Sequence, residues 1–156
     1  MSARTRVVSR VTLVSALLLA SCSPAGPRRI AYGHADCDYC RMTVSDERFG
    51  SEFVLQHGKV KTFDSIECLA SYVVQADSVS TVGAAYVTDF NHPGALLPAN
   101  QATYLRATSL HSPMGRGLVA VGPGADVATL ARAIGASAEL TWDEVLTLVR
   151  REQVHA

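Results

Sequence analysis

The sequence predicts an α+β protein made of two small antiparallel sheets, each backed by helix. Two observations support this prediction. Short segments rich in β-branched and aromatic residues recur along the chain, and segments with helical spacing of apolar residues follow them. The order of the elements is compatible with an internal duplication, although the two halves share little sequence similarity. We assign residues 34–80 to a first strand–strand–helix unit and residues 81–156 to a second, β-rich unit with C-terminal helices.

The N-terminus has the pattern of a bacterial lipoprotein signal. Three arginines and no acidic residue accompany an apolar stretch, Val11–Ala20, that is too short to span a bilayer. The stretch ends in the segment Leu19–Cys22 (Leu-Ala-Ser-Cys), a small-residue cleavage site followed by cysteine. We therefore predict that residues 1–21 are a signal peptide and that acyl chains on Cys22 anchor the protein in a membrane. A plain secretory signal is the alternative.

The mature chain is predicted to lie at the periplasmic face of a bacterial membrane. Residues 22–33 comprise the lipidated N-terminus and a tether, because Ser23–Pro27 has neither helix nor strand character. Serine instead of aspartate after the lipidated cysteine favours the outer membrane if the cell is Gram-negative. The signal peptide takes three of the 14 basic residues and none of the 14 acidic ones, which leaves a net charge of −3. This charge, without a basic stripe, is not that of a nucleic-acid-binding protein.

In the first unit, two strands are predicted to precede a helix. Phe53–Leu55 is apolar, His57-Gly58 supplies a turn, and Val60–Phe63 alternates with period two. Asp64-Ser65 offers an N-cap, and apolar residues then recur at helical spacing as far as Gln75. We therefore expect a hairpin followed by one helix with a core-facing stripe.

The second unit is predicted to contain three strands and two helices. The strands are Ala84–Asp89, Ala102–Thr108 and Gly117–Val121, and a Pro/Gly/Asn loop, Asn91–Asn100, separates the first two. Asp126 is expected to cap a helix that is ended by Gly135. Thr141 and Glu144 form a capping box for a last helix that reaches about Glu152.

Three cysteines remain once Cys22 is assigned to lipid: Cys37, Cys40 and Cys68. An odd number outside the cytoplasm cannot form a closed disulfide framework, so either one thiol is left over or thiolates bind a metal. Cys37 and Cys40 have C-x-x-C redox spacing, although the flanking aspartates are expected to raise the thiol pKa values. For Cys68, on the predicted helix, we expect a buried free thiol, with metal or disulfide bonding as the alternative.

Within the segment Cys37–Met42, the thiol of Cys40 and the thioether of Met42 lie two residues apart. Both are soft ligands of the kind that Cu(I) prefers. In an extended segment Cys40 and Met42 point to the same side, so they can hold one ion and leave one of its faces open for transfer. A zinc site made of the three cysteines and a histidine is the alternative, but it gives Met42 no role.

A second motif, Ser-Pro-Met-Gly, contains the other methionine of the mature chain, Met114. Pro113 stiffens the turn, and Gly115 lets an ion or a partner backbone come close. We therefore expect Met114 to be exposed. The alternative is an ordinary Pro/Gly hairpin whose methionine packs on the sheet.

The combined motifs predict a metal-binding protein rather than an enzyme. The sequence has no Ser/His/Asp order, paired-carboxylate motif or glycine-rich phosphate loop that offers competing chemistry. The predicted ligands are Cys40, Met42 and Met114. Further candidates are Cys37, His34 and His111, which lie close to these ligands in the sequence.

These motifs resemble the NosL family. The resemblance runs from about His34 to Val121 and rests on Cys37-x-x-Cys40-x-Met42, Val44–Asp46, Phe63–Cys68, Tyr86–Asp89 and Ser112–Gly115, in this order. It implies a lipoprotein that delivers Cu(I) for assembly of nitrous oxide reductase in denitrification. Cys40, Met42 and Met114 match the positions of the family's copper ligands. The implied fold has two ββα-type units and is related in shape to part of alkylmercury lyase.

The resemblance also implies the partners of the protein. The periplasmic subunit of an ABC-type copper-site maturation complex is the implied acceptor, and nitrous oxide reductase is reached indirectly. The implied protein is a metallochaperone and not an enzyme. Three other functions stay open: an extracytoplasmic thiol–disulfide protein that uses Cys37 and Cys40, an organomercury-lyase-like enzyme suggested by the fold kinship, and a zinc-binding lipoprotein.

Overall fold

The computed structural model describes residues 26–77 and 82–154. The predicted signal peptide, Cys22 and the start of the tether lie outside the described residues. Within those two ranges, no helix has the length and apolar character needed to cross a membrane. In chain order the elements are β1 (Ser51–Leu55), β2 (Val60–Phe63), α1 (Ile66–Asp77), β3 (Gly83–Thr88), β4 (Leu96–Pro98), a 3-10 turn (Ala99–Gln101), β5 (Thr103–Arg106), β6 (Leu118–Val121), α2 (Val127–Ile134), β7 (Ala138–Leu140) and α3 (Trp142–Val154).

The predicted α+β class with antiparallel sheets is confirmed. The first sheet has the order β2-β1-β3-β4, and Ser51 lies opposite Phe63 on one side and Val87 on the other. β3 and β4 thus join β1 and β2 in one sheet, although the sequence had grouped them with the second unit. The predicted loop 91–100 is also wrong in part, because it contains β4. Pro, Gly and Asn residues flank this three-residue strand and indicate a loop, so its apolar pair, Leu96-Leu97, did not predict a strand.

The second sheet has the order β6-β5-β7 and is also antiparallel. The sequence did not predict β7, because three residues are too few to show an alternating pattern. A single parallel bridge between Asp89, just after β3, and Ala120 of β6 connects the two sheets. The sheets are therefore neighbours within one folded body.

The predicted helix ends are confirmed by their caps. Ser65 accepts a backbone N–H in the first turn of α1. At α2, Asp126 accepts a backbone N–H and Gly135 adopts the left-handed conformation with φ 66°. At α3, the Thr141 N–H donates to the carboxylate of Glu144 at 2.7 Å, which completes the capping box.

The main hydrophobic core lies between α1, the first sheet and α3. Tyr72 of α1 packs against Phe53 and Phe63, with ring centroids 5.5 and 5.1 Å apart. Val145 and Val149 on α3 are fully buried in the same core. A smaller core lies between the second sheet and α2. Since α1 is held between a sheet and a helix, its first turn has a fixed position.

Candidate metal centre

The segment Asp36–Thr43 is a tight hairpin that carries two cysteines. Its two ends pair as an antiparallel bridge, and inside the bridge the Cys37 N–H donates to the Met42 carbonyl at 2.8 Å. Arg41 has φ 67° and is the one non-glycine residue with positive φ in the described chain. The expectation of an extended segment from Cys40 to Met42 is therefore wrong, because this left-handed residue turns the chain between them.

The hairpin is fastened to β2 through Asp38. Its carboxylate accepts from the ammonium of Lys61 at 2.7 Å and from the N–H of Thr62 at 3.0 Å. The side chains of the ion pair are only 25% and 24% exposed, so solvent screens this pair less than an open surface pair. The Asp38 N–H in turn donates to the Thr62 carbonyl. The first sheet therefore fixes the position of the cysteine hairpin.

Three sulfur atoms converge where this hairpin meets α1. The Sγ atoms of Cys37, Cys40 and Cys68 all lie within 4.8 Å of one another, and all three thiols are free. Cys37 and Cys68 are fully buried, whereas Cys40 is half-buried. Metal–sulfur bonds of about 2.3 Å place three sulfur ligands about 4 Å apart around one ion. A small contraction would therefore bring all three thiols onto a single soft ion.

Cys37 is the thiolate of this group. A hydrogen bond from Cys68 lowers the Cys37 pKa most, backbone N–H groups of Cys40, Asp64 and Tyr39 lower it further, and burial opposes them; the result is about 5. The pKa of Cys68 is raised, chiefly by its hydrogen bond to Cys37, and that of Cys40 is raised chiefly by burial. The sequence-based expectation that flanking aspartates raise the pKa is wrong for Cys37, because the hydrogen bond from Cys68 and those from backbone N–H groups lower this pKa by more than burial raises it.

We expect the apoprotein to gain the ultraviolet absorbance of one thiolate as the pH rises through about 5. Between pH 5 and 9, the Cys37 thiol is deprotonated in the folded state but protonated in the unfolded chain, where its pKa has the ordinary value of 9.0. The free energy of unfolding should therefore increase as the pH rises from about 5 to 9. Cys37→Ser should lose the low-pH absorbance step, and Cys40→Ser should keep it. A wild-type protein whose first thiolate forms only above about pH 8 would contradict this assignment.

The second predicted motif forms a tight turn against α1. Ser112 donates to the carboxylate of Glu67 at 3.3 Å and accepts the Gly117 N–H at 2.9 Å. Met114, inside this turn, is half-buried and packs against the main core. It does not stand exposed as the sequence predicted, because the turn lies on α1. The turn is thereby held beside the helical turn that carries Cys68.

The remaining predicted ligands lie at the surface. Met42 is 58% exposed, and His34 and His111 are exposed as well. Neither histidine is part of the cysteine cluster, whose three sulfur atoms lie within 4.8 Å of one another. Conversely, the sequence did not place Cys68 among the predicted Cu(I) ligands, because a buried free thiol was expected there and metal binding was only the alternative. The signal that could have done so is a cysteine in the first turn of a helix directly after an Asp-Ser cap.

The sequence model of the NosL family matches residues 31–147, a range that contains all three clustered cysteines. The chain belongs to the NosL family. In fold, this NosL-family chain is similar to the crystal structure of the copper chaperone NosL from Shewanella denitrificans, with a TM-score of 0.60 and 22% sequence identity over 76% of this chain and 96% of that chain. Among curated proteins, none matches the chain. The resemblance inferred from the motifs is thus confirmed at the level of family and fold.

Proposed function

We propose that the chain is a periplasmic Cu(I) chaperone, lipid-anchored at Cys22, that delivers copper for assembly of nitrous oxide reductase. The observation that carries this proposal is the convergence of three thiols within 4.8 Å, with only one of them reaching the surface. Thiolates and thioethers select soft ions such as Cu(I). Membership of the NosL family supports the delivery route, since its structural relative from Shewanella denitrificans is itself a copper chaperone.

The arrangement of the sulfurs suits an ion that must be released again. Cys37 and Cys68 hold the ion from inside, while half-buried Cys40 is the thiol that an incoming or departing ion meets first. Exposed Met42 adds a thioether, which needs no deprotonation and exchanges readily. Copper would be transferred by ligand exchange without a redox step. Each sulfur that dissociates from the ion is replaced by a ligand atom of the accepting protein. That acceptor is the periplasmic subunit of an ABC-type copper-site maturation complex.

A thiol–disulfide function is the second candidate, because the Cys37 thiolate lies beside two further thiols. It requires a reversible disulfide in the range of redox-active dithiols and no dependence on Met42. A zinc site of four protein ligands has less support, since no histidine joins the three sulfurs in the described chain. The organomercury-lyase alternative is supported by nothing beyond the fold kinship.

An anaerobic titration of the reduced mature protein with a coloured Cu(I) chelator tests the proposal. We expect one Cu(I) per chain, held in competition with the chelator, and Met114→Leu should weaken the affinity by about 3- to 10-fold because it removes one exchangeable ligand. Cells that lack the protein should produce copper-deficient nitrous oxide reductase. The proposal is refuted if Cu(I) binds no more tightly than to the urea-unfolded chain, or if cycling between dithiol and disulfide proceeds equally well without either methionine.

A further inference from the structure

The turn that carries Met114 has a second attachment, at the C-terminal end of α3. The guanidinium of Arg116 donates to one carboxylate oxygen of Glu152, and the other oxygen accepts from Arg106 of β5 at 3.3 Å. The side chains of Arg116 and Glu152 are each 31% exposed, so the ion pair is partly shielded from solvent. Glu152 therefore connects α3, β5 and the Met114 turn.

The turn is also held by α1, at both of its ends. The Glu67 carboxylate is buried, and one of its oxygens accepts from Ser112 at 3.3 Å and from the N–H of Leu118 at 3.4 Å. Two carboxylates, each on one of two helices that pack together, thus hold one short turn. Met114 lies between the held residues in the chain and packs against the same core cluster that contains Cys37 and Cys68.

The same end of α3 also reaches the cysteine hairpin. The amide of Gln153 donates to the hydroxyl of Tyr39 at 3.5 Å, and Tyr39 lies between Cys37 and Cys40 in the sequence. Two consecutive residues of α3 thus touch the two loops that supply sulfur atoms. Both residues lie beyond residues 31–147, so this contact is not part of the region matched to the family.

We propose that Glu152 is a positioning residue that, through Arg116, keeps the Met114 thioether in place for the ion. This inference rests on the proposed Cu(I) function. A free turn of this length samples many conformations, and ordering it when the ion arrives costs conformational entropy. The two carboxylates order the turn beforehand, so more of the interaction energy of Met114 with the ion appears as affinity.

The direct test is Glu152→Gln in the full mature chain, measured by the same Cu(I) competition titration. We expect the affinity to fall about 5-fold, because the ion pair is partly exposed and holds only one of several ligands. Asp143→Asn is the matched control, since it removes one exposed carboxylate from the first turn of the same helix. It should leave the affinity unchanged. Equal affinities of wild type and Glu152→Gln would overturn the proposal and leave the Cu(I) function intact.

A double variant separates positioning from general stability. Glu152→Gln combined with Met114→Leu should bind Cu(I) no more weakly than Met114→Leu alone, because the residue that Glu152 positions is already gone. Additive losses would show that Glu152 acts on the fold as a whole and would overturn the proposal. In NMR spectra of the apoprotein, the methyl resonance of Met114 should sharpen in Glu152→Gln, and its chemical shift should move toward the value in the unfolded chain. Neither change should occur in Asp143→Asn. An unmoved resonance contradicts the proposal whether or not copper binds.

Discussion

Replacing Cys40 by serine is expected to lower the Cu(I) affinity by more than about 100-fold. A hydroxyl is a poor ligand for a soft ion, and Cys40 is the one thiol of the group with a surface through which an ion can enter. The fold should tolerate the change, because the side chain is only half-buried and serine is of similar size. The affinity is measured by anaerobic chelator competition, and thermal unfolding of the apoprotein checks the fold.

Met42→Leu is the matched control for Cys40→Ser. It removes the thioether sulfur of the cysteine hairpin but keeps the side chain's bulk, and Met42 is already 58% exposed. We expect its affinity loss to stay below about 10-fold, because a neutral thioether is a weaker and more readily exchanged ligand than a cysteine sulfur. A Cys40→Ser protein that binds Cu(I) as tightly as Met42→Leu does would remove Cys40 from the centre of the mechanism.

Gly117→Ala is expected to destabilise the protein by about 3 kcal/mol or more. Gly117 has φ 67°, and a Cβ at this position would lie 1.9 Å from the carbonyl oxygen of Ala107. That oxygen belongs to the backbone, so it can move only if the turn opens. The N–H of Gly117 bonds to Ser112 and its carbonyl accepts from the Ala107 N–H, so both contacts are at risk. Urea unfolding measures the loss.

Gly115→Ala in the same turn provides the comparison. Gly115 has a similar φ of 70°, but no atom lies within 4 Å of an added Cβ. The variant should therefore cost only the left-handed backbone penalty of about 1–2 kcal/mol. If both alanine variants unfold at the same urea concentration, the backbone conformation alone explains the Gly117 effect, and close contact with Ala107 contributes nothing.

Features set by neighbouring residues in the chain could be predicted from the sequence. The caps at Asp126 and Thr141 and the period-two pattern of Val60–Phe63 led to elements that the structure contains. β4 and β7 could not be predicted, because a three-residue strand exists only through its pairing with a distant partner. The grouping of strands into sheets depends on the same non-local pairing.

The candidate site was predictable to the same degree. The C-x-x-C spacing is local and visible in the sequence, but the proximity of Cys68 depends on how α1 is placed by the sheet and by α3. The glycines of the Met114 turn show the same limit. The space at Gly115 is open, so the predicted approach of an ion or a partner stays a prediction, whereas the tight backbone contact of Gly117 with Ala107 was not predicted.

The single ionised thiol of the sulfur group has a consequence for which ion is retained. A monovalent cation that joins the Cys37 thiolate gives an electroneutral centre, so no uncompensated charge has to be stabilised in the protein interior. A divalent cation would leave one positive charge in excess unless a second thiol ionised. The raised pKa values of Cys68 and Cys40 oppose that second ionisation. On this charge balance, the Cu(I) ion proposed above can bind without displacing a second proton, whereas a divalent ion such as zinc has to displace one.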